Sequence, residues 1–292
     1  MRALIIVLAL SLGALPGLGA SPAGAAALKL TTWDLGWLTL RPAGDPALPP
    51  NIGPRAPADL ARLAAYAAAL AADVVAFQGI DGVEAARLVF PADRWTLHMT
   101  GDQVLQRAGF AVRHGLGFTP LPDLAALDPF AHARYRLRSG AEIRLDLAGA
   151  GLRLLAVHLK SGCRSAALDT ADIPACATLR GQSEVLADWV AQRQAAGEAF
   201  AILGDFGRVM DGGDDFVARL APPLTLSRVT EGHASPCWGG GAFVDHILLG
   251  GAARQWLQPG SLRVMVYRET NESWRDRLSG HCPVSASLLP PG

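Results

Sequence analysis

Apolar and polar positions alternate along much of the chain in short stretches that are typical of β-strands. Alternation over residues 28–33 predicts a first strand, and the apolar run over residues 73–77 predicts a buried one. Further strands are predicted over residues 95–99, 109–113, 141–147, 152–159, 199–203, 243–249, 262–267 and 283–288. Apolar residues recur at helical spacing over residues 58–72, 175–194 and 214–220, which predicts helices there.

The order of these elements predicts the fold class. Strands outnumber helices, and several consecutive strands are separated by turns too short to contain a crossover helix. This favours an α/β (α+β) sandwich of two packed, mostly antiparallel β-sheets flanked by helices over a doubly wound parallel sheet. Because no repeat or linker interrupts the pattern, we expect a single domain over residues 26–292.

The N-terminal segment has the features of an export signal. Arg2 precedes an almost wholly apolar stretch over residues 3–18, and Ala23-Gly24-Ala25 fits the small-x-small cleavage pattern. We therefore predict a signal peptide over residues 1–25 and a secreted or periplasmic protein. The alternative is an uncleaved membrane anchor, for which the apolar run is short. No later stretch is long and apolar enough to span a bilayer.

Four cysteines follow the predicted signal: Cys163, Cys176, Cys237 and Cys282. An even number in an exported chain permits two disulfides. Cys163 and Cys176 bracket a polar loop, so we pair them, which leaves Cys237 with Cys282. Free buried thiols are the alternative, and a zinc site is disfavoured because no Cys-x-x-Cys or Cys/His pair has ligand spacing.

The charge balance limits the class of partner. The chain has 26 basic and 26 acidic residues, so its formal net charge is zero. A protein that follows a long stretch of duplex DNA usually carries a basic patch, of which the overall composition gives no sign. This favours a small or single phosphate ester over long duplex DNA, and we expect a monomer.

Polar side chains collect where the apolar strands begin or end, although a buried carboxylate or histidine is costly unless it is paired or used. Six places share this feature: Trp33-Asp34, Gln78-Gly79 with Asp81 beyond it, His158-Leu159-Lys160, Asp205-Phe206-Gly207-Arg208, Asp245-His246 and Gly280-His281. Their number favours one shared pocket at the strand ends. For any one place alone, a structural polar group or a turn residue is the alternative.

The order and spacing of these motifs resemble the endonuclease/exonuclease/phosphatase (DNase I-like) superfamily over residues 28–288. The resemblance implies two packed sheets with a site at one rim, where a divalent cation, usually Mg²⁺ and otherwise Mn²⁺, supports hydrolysis of phosphate esters. The family motifs Trp-Asn, Gln-Glu, His, Gly-Asp-Phe-Asn, Asp and Ser-Asp-His match Trp33-Asp34, Gln78-Gly79, His158, Gly204-Asp205-Phe206-Gly207, Asp245 and Ser279-Gly280-His281.

The resemblance also implies roles for the matching residues. His281 would be the general base that activates water, held in one tautomer by Asp245. Asp205 would orient the nucleophile or stabilise the leaving group. His158 and Lys160 would stabilise charge on the phosphoryl oxygens. Arg208 could also contact a phosphate. The alternative is that Arg208 is a surface residue that follows a turn and has no role in binding.

The metal-binding half of the motif set is changed. Gly79 and Gly280 stand where the family has carboxylates, and Gly207 replaces an amide. Asp34 and Asp81 remain as candidate ligands, although Asp81 lies about 7 Å beyond position 79 in an extended strand. We therefore expect weakened Mg²⁺ or Mn²⁺ binding, which would remove several kcal/mol of transition-state stabilisation.

Three functional hypotheses remain at this stage. The first is a metal-dependent phosphoesterase, impaired by its changed ligand set, whose substrates are phosphate esters with nucleic acid among them. The second is a catalytically inactive pseudoenzyme that binds a phosphorylated ligand or a partner. The third, supported by the cysteines alone, is an extracellular adhesion module.

Overall fold

Two six-stranded β-sheets pack face to face in the computed structural model, which describes residues 27–130, 136–147 and 149–291. The predicted signal peptide over residues 1–25 lies outside these ranges. The first sheet has the order β11-β12-β1-β2-β4-β3. Its strands are β1 (Leu28–Leu38), β2 (Val74–Ile80), β3 (Trp95–Met99), β4 (Arg107–Arg113), β11 (Arg263–Val264) and β12 (Val284–Leu288).

The second sheet has the order β5-β6-β7-β8-β10-β9. Its strands are β5 (Phe118–Pro120), β6 (Ala141–Leu147), β7 (Ala150–His158), β8 (Ala199–Asp205), β9 (Leu226–Arg228) and β10 (Asp245–Gly250). Two pairs, β1 with β2 and β7 with β8, are parallel, and the other pairings are antiparallel. The predicted sandwich of mostly antiparallel sheets is therefore confirmed.

Six α-helices occur in the described residues: α1 (Pro57–Ala69), α2 (Val83–Arg87), α3 (Pro174–Ala195), α4 (Phe216–Leu220), α5 (Ala253–Trp256) and α6 (Trp274–Arg277). The two long helices begin with proline, which suits a first turn because the missing N–H has no helical partner there. The helix predicted over residues 58–72 ends at Ala69, since Ala71 has a φ of 46°, outside the range of a right-handed helix. The three-residue strands β5 and β9 were not predicted.

Three apolar layers hold these elements together. The inner faces of the sheets meet in one core, which includes Leu30, Leu154 and Leu203. The outer face of the first sheet packs against Leu63 of α1, and that of the second packs against Leu186 of α3. The central strands are therefore apolar on both faces, as the sequence pattern predicted for the buried runs.

Both predicted disulfides are present, Cys163–Cys176 and Cys237–Cys282, and no cysteine is free. Among the described residues, no helix combines the length and the apolar character needed to cross a membrane.

Candidate active site

Strand periodicity directs four polar side chains into the space between the sheets. Side chains two residues apart share a face of a strand, and the inner core contains Leu30, Leu154 and Ala156, Leu203, and Ile247. Continuing each strand on the same face leads to Asp34 in β1, His158 in β7, Asp205 in β8 and Asp245 in β10. All four lie at the same rim of the sandwich and are less than a tenth exposed.

Strand register places three of these side chains in a row. Asp205 pairs with His158 of β7 on one side and with Asp245 of β10 on the other. Across the sheets, Asp34 Oδ2 lies 3.4 Å from His158 Nε2, which is 3.7 Å from Asp205 Oδ2. The sheet pairing and the packing of the two sheets together assemble this group.

His281 enters from the loop that precedes β12. Its Nδ1 lies 2.8 Å from Asp245 Oδ2, within hydrogen-bond distance. Its backbone is held on both sides: Ser279 Oγ accepts a hydrogen bond from the His281 N–H at 3.0 Å, and the Tyr267 hydroxyl donates to the His281 carbonyl at 2.8 Å. The imidazole is therefore oriented by a buried carboxylate and by a fixed backbone.

Burial and mutual charge shift the pKa values of these groups. Desolvation raises the pKa of Asp34 and Asp245, and it raises the pKa of Asp205 to about 6. Burial alone would lower the pKa of His281, but the three surrounding carboxylates outweigh it and raise the pKa to about 11. Burial lowers the pKa of His158 well below its usual value, so this ring is neutral at pH 7.

Solved structures with this architecture cover most of the chain. A TDP2 from D. rerio complexed with a single-strand DNA product matches with a TM-score of 0.57 and 15% identity, over 91% of this chain and 100% of that one. The chain has the DNase I-like fold. The human Nocturnin catalytic domain with bound sulfate matches at a TM-score of 0.55 and 11% identity, over 89% of this chain and 93% of the other.

A 3′-5′ exonuclease from Neisseria meningitidis also has the DNase I-like fold, with a TM-score of 0.55, 17% identity, and coverage of 89% of this chain and 99% of that one. No protein-family model matches this chain, and no curated protein matches its sequence. At these identities the comparisons establish the fold, and they confirm at that level the resemblance to the endonuclease/exonuclease/phosphatase superfamily.

The DNase I-like fold implies a divalent cation, and the residues present fit one. One ligand atom each from Asp34, Asp205 and His281 lie within 4.8 Å of one another. The Asp245 Oδ1 atom is buried and has no hydrogen-bond partner among the described residues. Three buried carboxylates thus converge on one imidazole, and carboxylate oxygens are the ligands that Mg²⁺ and Mn²⁺ prefer.

Gly79 is confined to glycine by the backbone around it. Its φ is +73°, a conformation that other residues rarely adopt. A Cβ atom at position 79 would overlap the carbonyl of Gly36 and would lie 2.7 Å from Asp34 Oδ1. The Asp34 carboxylate therefore occupies the space next to strand β2 into which a side chain from position 79 would begin to extend.

The other two glycines differ from Gly79. A Cβ atom on Gly280 would meet no atom within 4 Å, so this position has room for a side chain. Gly207 has a φ of +60°, and a Cβ there would lie 2.9 Å from the Lys160 carbonyl oxygen. The Gly207 N–H donates to Asp205 Oδ1 at 2.7 Å, so this turn orients the Asp205 carboxylate.

Asp81 lies outside the group formed by Asp34, Asp205 and His281, and its role as a metal ligand stays a prediction. Its Oδ2 accepts hydrogen bonds from Thr39 Oγ1 at 2.7 Å and from Arg41 Nε at 3.0 Å. A regular strand would direct positions 79 and 81 to the same face, but β2 is irregular between Phe77 and Ile80, where its register with β4 shifts and Gly79 has a φ of +73°. The regular alternation of side chains therefore does not extend from position 79 to Asp81.

Arg208 is buried rather than at the surface, and its predicted contact with substrate stays a prediction. Its side chain is 2% exposed and forms an ion pair with Asp214 at 2.5 Å. The same guanidinium donates to the carbonyls of Cys163 and Ala166 at 3.1 and 2.9 Å. Arg208 therefore ties the loop after β8 to the loop after β7, with no donor directed to a substrate.

Lys160 lies at the end of β7, where its Nζ donates to the Ser161 carbonyl at 2.8 Å. Sequence reasoning missed Arg138, whose guanidinium donates to the carbonyls of His158 and Leu159 at 3.1 and 2.9 Å. Its charge affects the pKa values of Asp205 and His158. The chain pattern gives no signal for Arg138, because its proximity to the site depends on how its loop crosses β7.

A groove of about 820 Å³ lies away from these residues, near Lys29 at the start of β1. Its lining includes Trp256 and Arg263 but no carboxylate or histidine among the described residues. Volume alone therefore does not locate the chemistry in this molecule.

Proposed function

We propose that the protein is a phosphoesterase that uses the Asp245–His281 pair to activate water. The observation that carries the proposal is the 2.8 Å contact between Asp245 Oδ2 and His281 Nδ1, at a rim that also contains His158 and Asp205. An imidazole oriented by a carboxylate is a common general base. The DNase I-like fold supports hydrolysis of a phosphate ester as the reaction.

The charges around His281 set a condition on its role. At a pKa of about 11 the imidazole is protonated at neutral pH and cannot accept a proton. The carboxylates of Asp34 and Asp205 contribute to this shift, so balancing their charge lowers the pKa of His281. Positive charge between Asp34 and Asp205 would therefore shift His281 towards its neutral, proton-accepting form.

Asp34 and Asp205 would hold that positive charge as a divalent cation, with Mg²⁺ and Mn²⁺ the candidates. When bound, such a cation polarises a phosphoryl oxygen. His158, kept neutral by burial, has one N–H to donate to a phosphoryl oxygen, and Arg138 adds a fixed positive charge behind it. Lys160 stays a candidate phosphate contact, because it lies two residues after His158 and its amine is bonded only to the adjacent Ser161 carbonyl among the described residues.

The proposed substrate is a phosphate ester, with nucleic acid among the candidates. The D. rerio TDP2 that shares the fold is complexed with a single-strand DNA product, and the human Nocturnin domain holds a sulfate. The formal net charge of zero favours a short substrate over long duplex DNA. We further propose a secreted or periplasmic location, supported by the two disulfides and the signal-like N-terminal segment.

Hydrolysis by the purified protein tests the proposal. A bis-aryl phosphate ester and a single-stranded oligonucleotide are incubated with Mn²⁺ or Mg²⁺ and, separately, with a chelator. We expect cation-dependent turnover that falls at least about a hundredfold in Asp245→Asn and His281→Gln, because each removes proton transfer. The matched controls Asp93→Asn and His114→Gln change exposed residues away from the site and should keep full activity.

A second candidate function is favoured by Gly79 and Gly280, which lack the carboxylates of the family motifs. The protein would then bind a phosphorylated ligand without turning it over. Absence of turnover under every cation condition, together with measurable binding of an oligonucleotide, would support this alternative and contradict the first.

A further inference from the structure

A cleft of about 270 Å³ opens beside the Asp245–His281 pair. Both members of the pair contribute to its lining, whereas Asp34, Asp205 and His158 do not. We refer to it as the dyad cleft, with rim residues Arg164, Trp238 and Arg275. Because it adjoins the pair, a substrate group next to the scissile phosphate would enter it.

The rim of the dyad cleft is positively charged. Arg164 forms no ion pair with the described residues. Arg275 pairs with Glu272 at 3.5 Å, where the Glu272 side chain is 84% exposed, and it donates to the Trp238 carbonyl at 3.4 Å. The one carboxylate in the described lining is Asp245, which is engaged with His281. An anionic group is therefore attracted to this cleft.

Trp238 gives the cleft a fixed wall. Its φ is 49°, which is unusual for a bulky residue, and such conformations persist only when the surroundings hold them. The indole Nε1 donates to the Ser279 carbonyl at 2.9 Å, and the ring lies 5.2 Å from the Tyr267 ring. The Arg275 guanidinium lies 5.7 Å from the Trp238 ring, which positions the cation at the rim.

The two disulfides brace both sides of the dyad cleft. Cys163, bonded to Cys176, directly precedes Arg164, so this disulfide anchors the loop that contains Arg164. Cys237, bonded to Cys282, directly precedes Trp238, and Cys282 directly follows His281. The second disulfide therefore joins Trp238 to the loop that contains His281. The two disulfides thus preorganise the cleft for a ligand.

We propose that the dyad cleft binds a second, non-scissile phosphate of the substrate through Arg164 and Arg275. The inference rests on the proposed phosphoesterase function and narrows its substrate to esters with another phosphate close to the scissile one. The cleft has about the liquid volume of nine waters, enough for a phosphate with part of its sugar. Charge-assisted hydrogen bonds from two guanidinium groups would supply the selectivity.

Binding of matched dinucleotides tests the proposal without turnover. Thymidine dinucleotides with a 5′-phosphate, with a 3′-phosphate and with neither are titrated into the full protein in the presence of a chelator, by calorimetry. We expect one of the two phosphorylated ligands to bind at least about tenfold more tightly than the unphosphorylated one. Arg164→Gln and Arg275→Gln should each reduce that preference, and the double variant should abolish it.

Arg94→Gln is the matched control, since Arg94 is exposed and lies outside the cleft. It should keep the full preference. Equal binding of all three dinucleotides to the unaltered protein, or an unchanged preference in the double variant, would overturn the proposal. A phosphate preference without hydrolysis in the metal-supplemented assay would support phosphate binding at the dyad cleft and contradict only the phosphoesterase function. Hydrolysis without the preference would support the phosphoesterase function and contradict phosphate binding at the dyad cleft.

Discussion

Gly79 and Asp34 are linked through the backbone of Gly36. The Asp34 Oδ1 atom accepts a hydrogen bond from the Gly36 N–H, which stabilises the β1 bulge, and this bulge places the Gly36 carbonyl against Gly79. The space for a side chain at position 79 is thereby closed while Asp34 supplies a carboxylate from the neighbouring strand. Asp34, Asp205 and His281 therefore converge at a rim where position 79 has no room for a side chain.

Introducing a carboxylate at position 79 or at position 280 tests whether each position has space for a side chain. Gly79→Glu should lower the free energy of unfolding by at least about 2 kcal/mol, because it adds backbone strain and overlap with Gly36. Gly280→Asp should change it by less than about 0.5 kcal/mol, because that Cβ meets open space. Urea denaturation of the two variants measures both values, and equal stabilities would contradict the assignment of Gly79 as closed.

At the scale of elements, neighbouring strands determine which side chains meet. The pairing of β7, β8 and β10 places His158, Asp205 and Asp245 at one level, and a slip of one residue would turn Asp205 to the opposite face. The loops next to these strands are held less by strand pairing than by the two disulfides. The Cys163–Cys176 bridge holds the loop after β7, and Cys237–Cys282 holds the loop before β12.

Removing each disulfide should lower the free energy of unfolding, and the loss should be larger for the disulfide that closes the longer loop. The bridges span 13 and 45 residues. In the chain-entropy description, their loss costs about 3 and about 4 kcal/mol respectively. Chemical denaturation of Cys163→Ala/Cys176→Ala and Cys237→Ala/Cys282→Ala measures the two losses. A larger loss for the shorter loop would show that local packing outweighs the entropy of the unfolded chain.

At the scale of the whole molecule, burial of ionisable groups links stability to pH. His246 lies in the second sheet, where Nδ1 contacts Thr230 Oγ1 at 2.7 Å and Nε2 contacts the Arg208 carbonyl at 3.1 Å. Desolvation lowers the pKa of His246 to about 4, from an ordinary value of 6.5. Its stabilisation is therefore fully present above about pH 6.5 and is lost as the pH falls towards 4.

Comparison with His246→Gln isolates this contribution. The shift corresponds to about 3 kcal/mol, so the stability of the unaltered protein relative to the variant should decline by about that amount between pH 7 and pH 4. The comparison is needed because burial of Asp205 acts in the opposite direction over the same range, its pKa being raised to about 6. A pH-independent difference in urea denaturation between the two proteins would contradict the assignment.

Much of the fold and part of the site follow from local pattern. Strand alternation is a property of the backbone, so the sandwich could be predicted, and the same two-residue period brings Asp34, His158, Asp205 and Asp245 to the inner faces. Loop proximity was enough to pair the cysteines. The position of Asp81 could not be predicted, because β2 departs from regular alternation between Phe77 and Ile80 where it pairs with β4.

The strands, their buried faces and the two bridges follow from local periodicity and residue type, and the resemblance to a family adds the motif residues. Which of these side chains meet depends on the packing of the whole chain. The burial of Arg208, the approach of Arg138 to His158, the closure of position 79 and the dyad cleft each require segments far apart in the chain to pack together. Such contacts depend on the shape of the assembled sheets and loops, which no local pattern encodes.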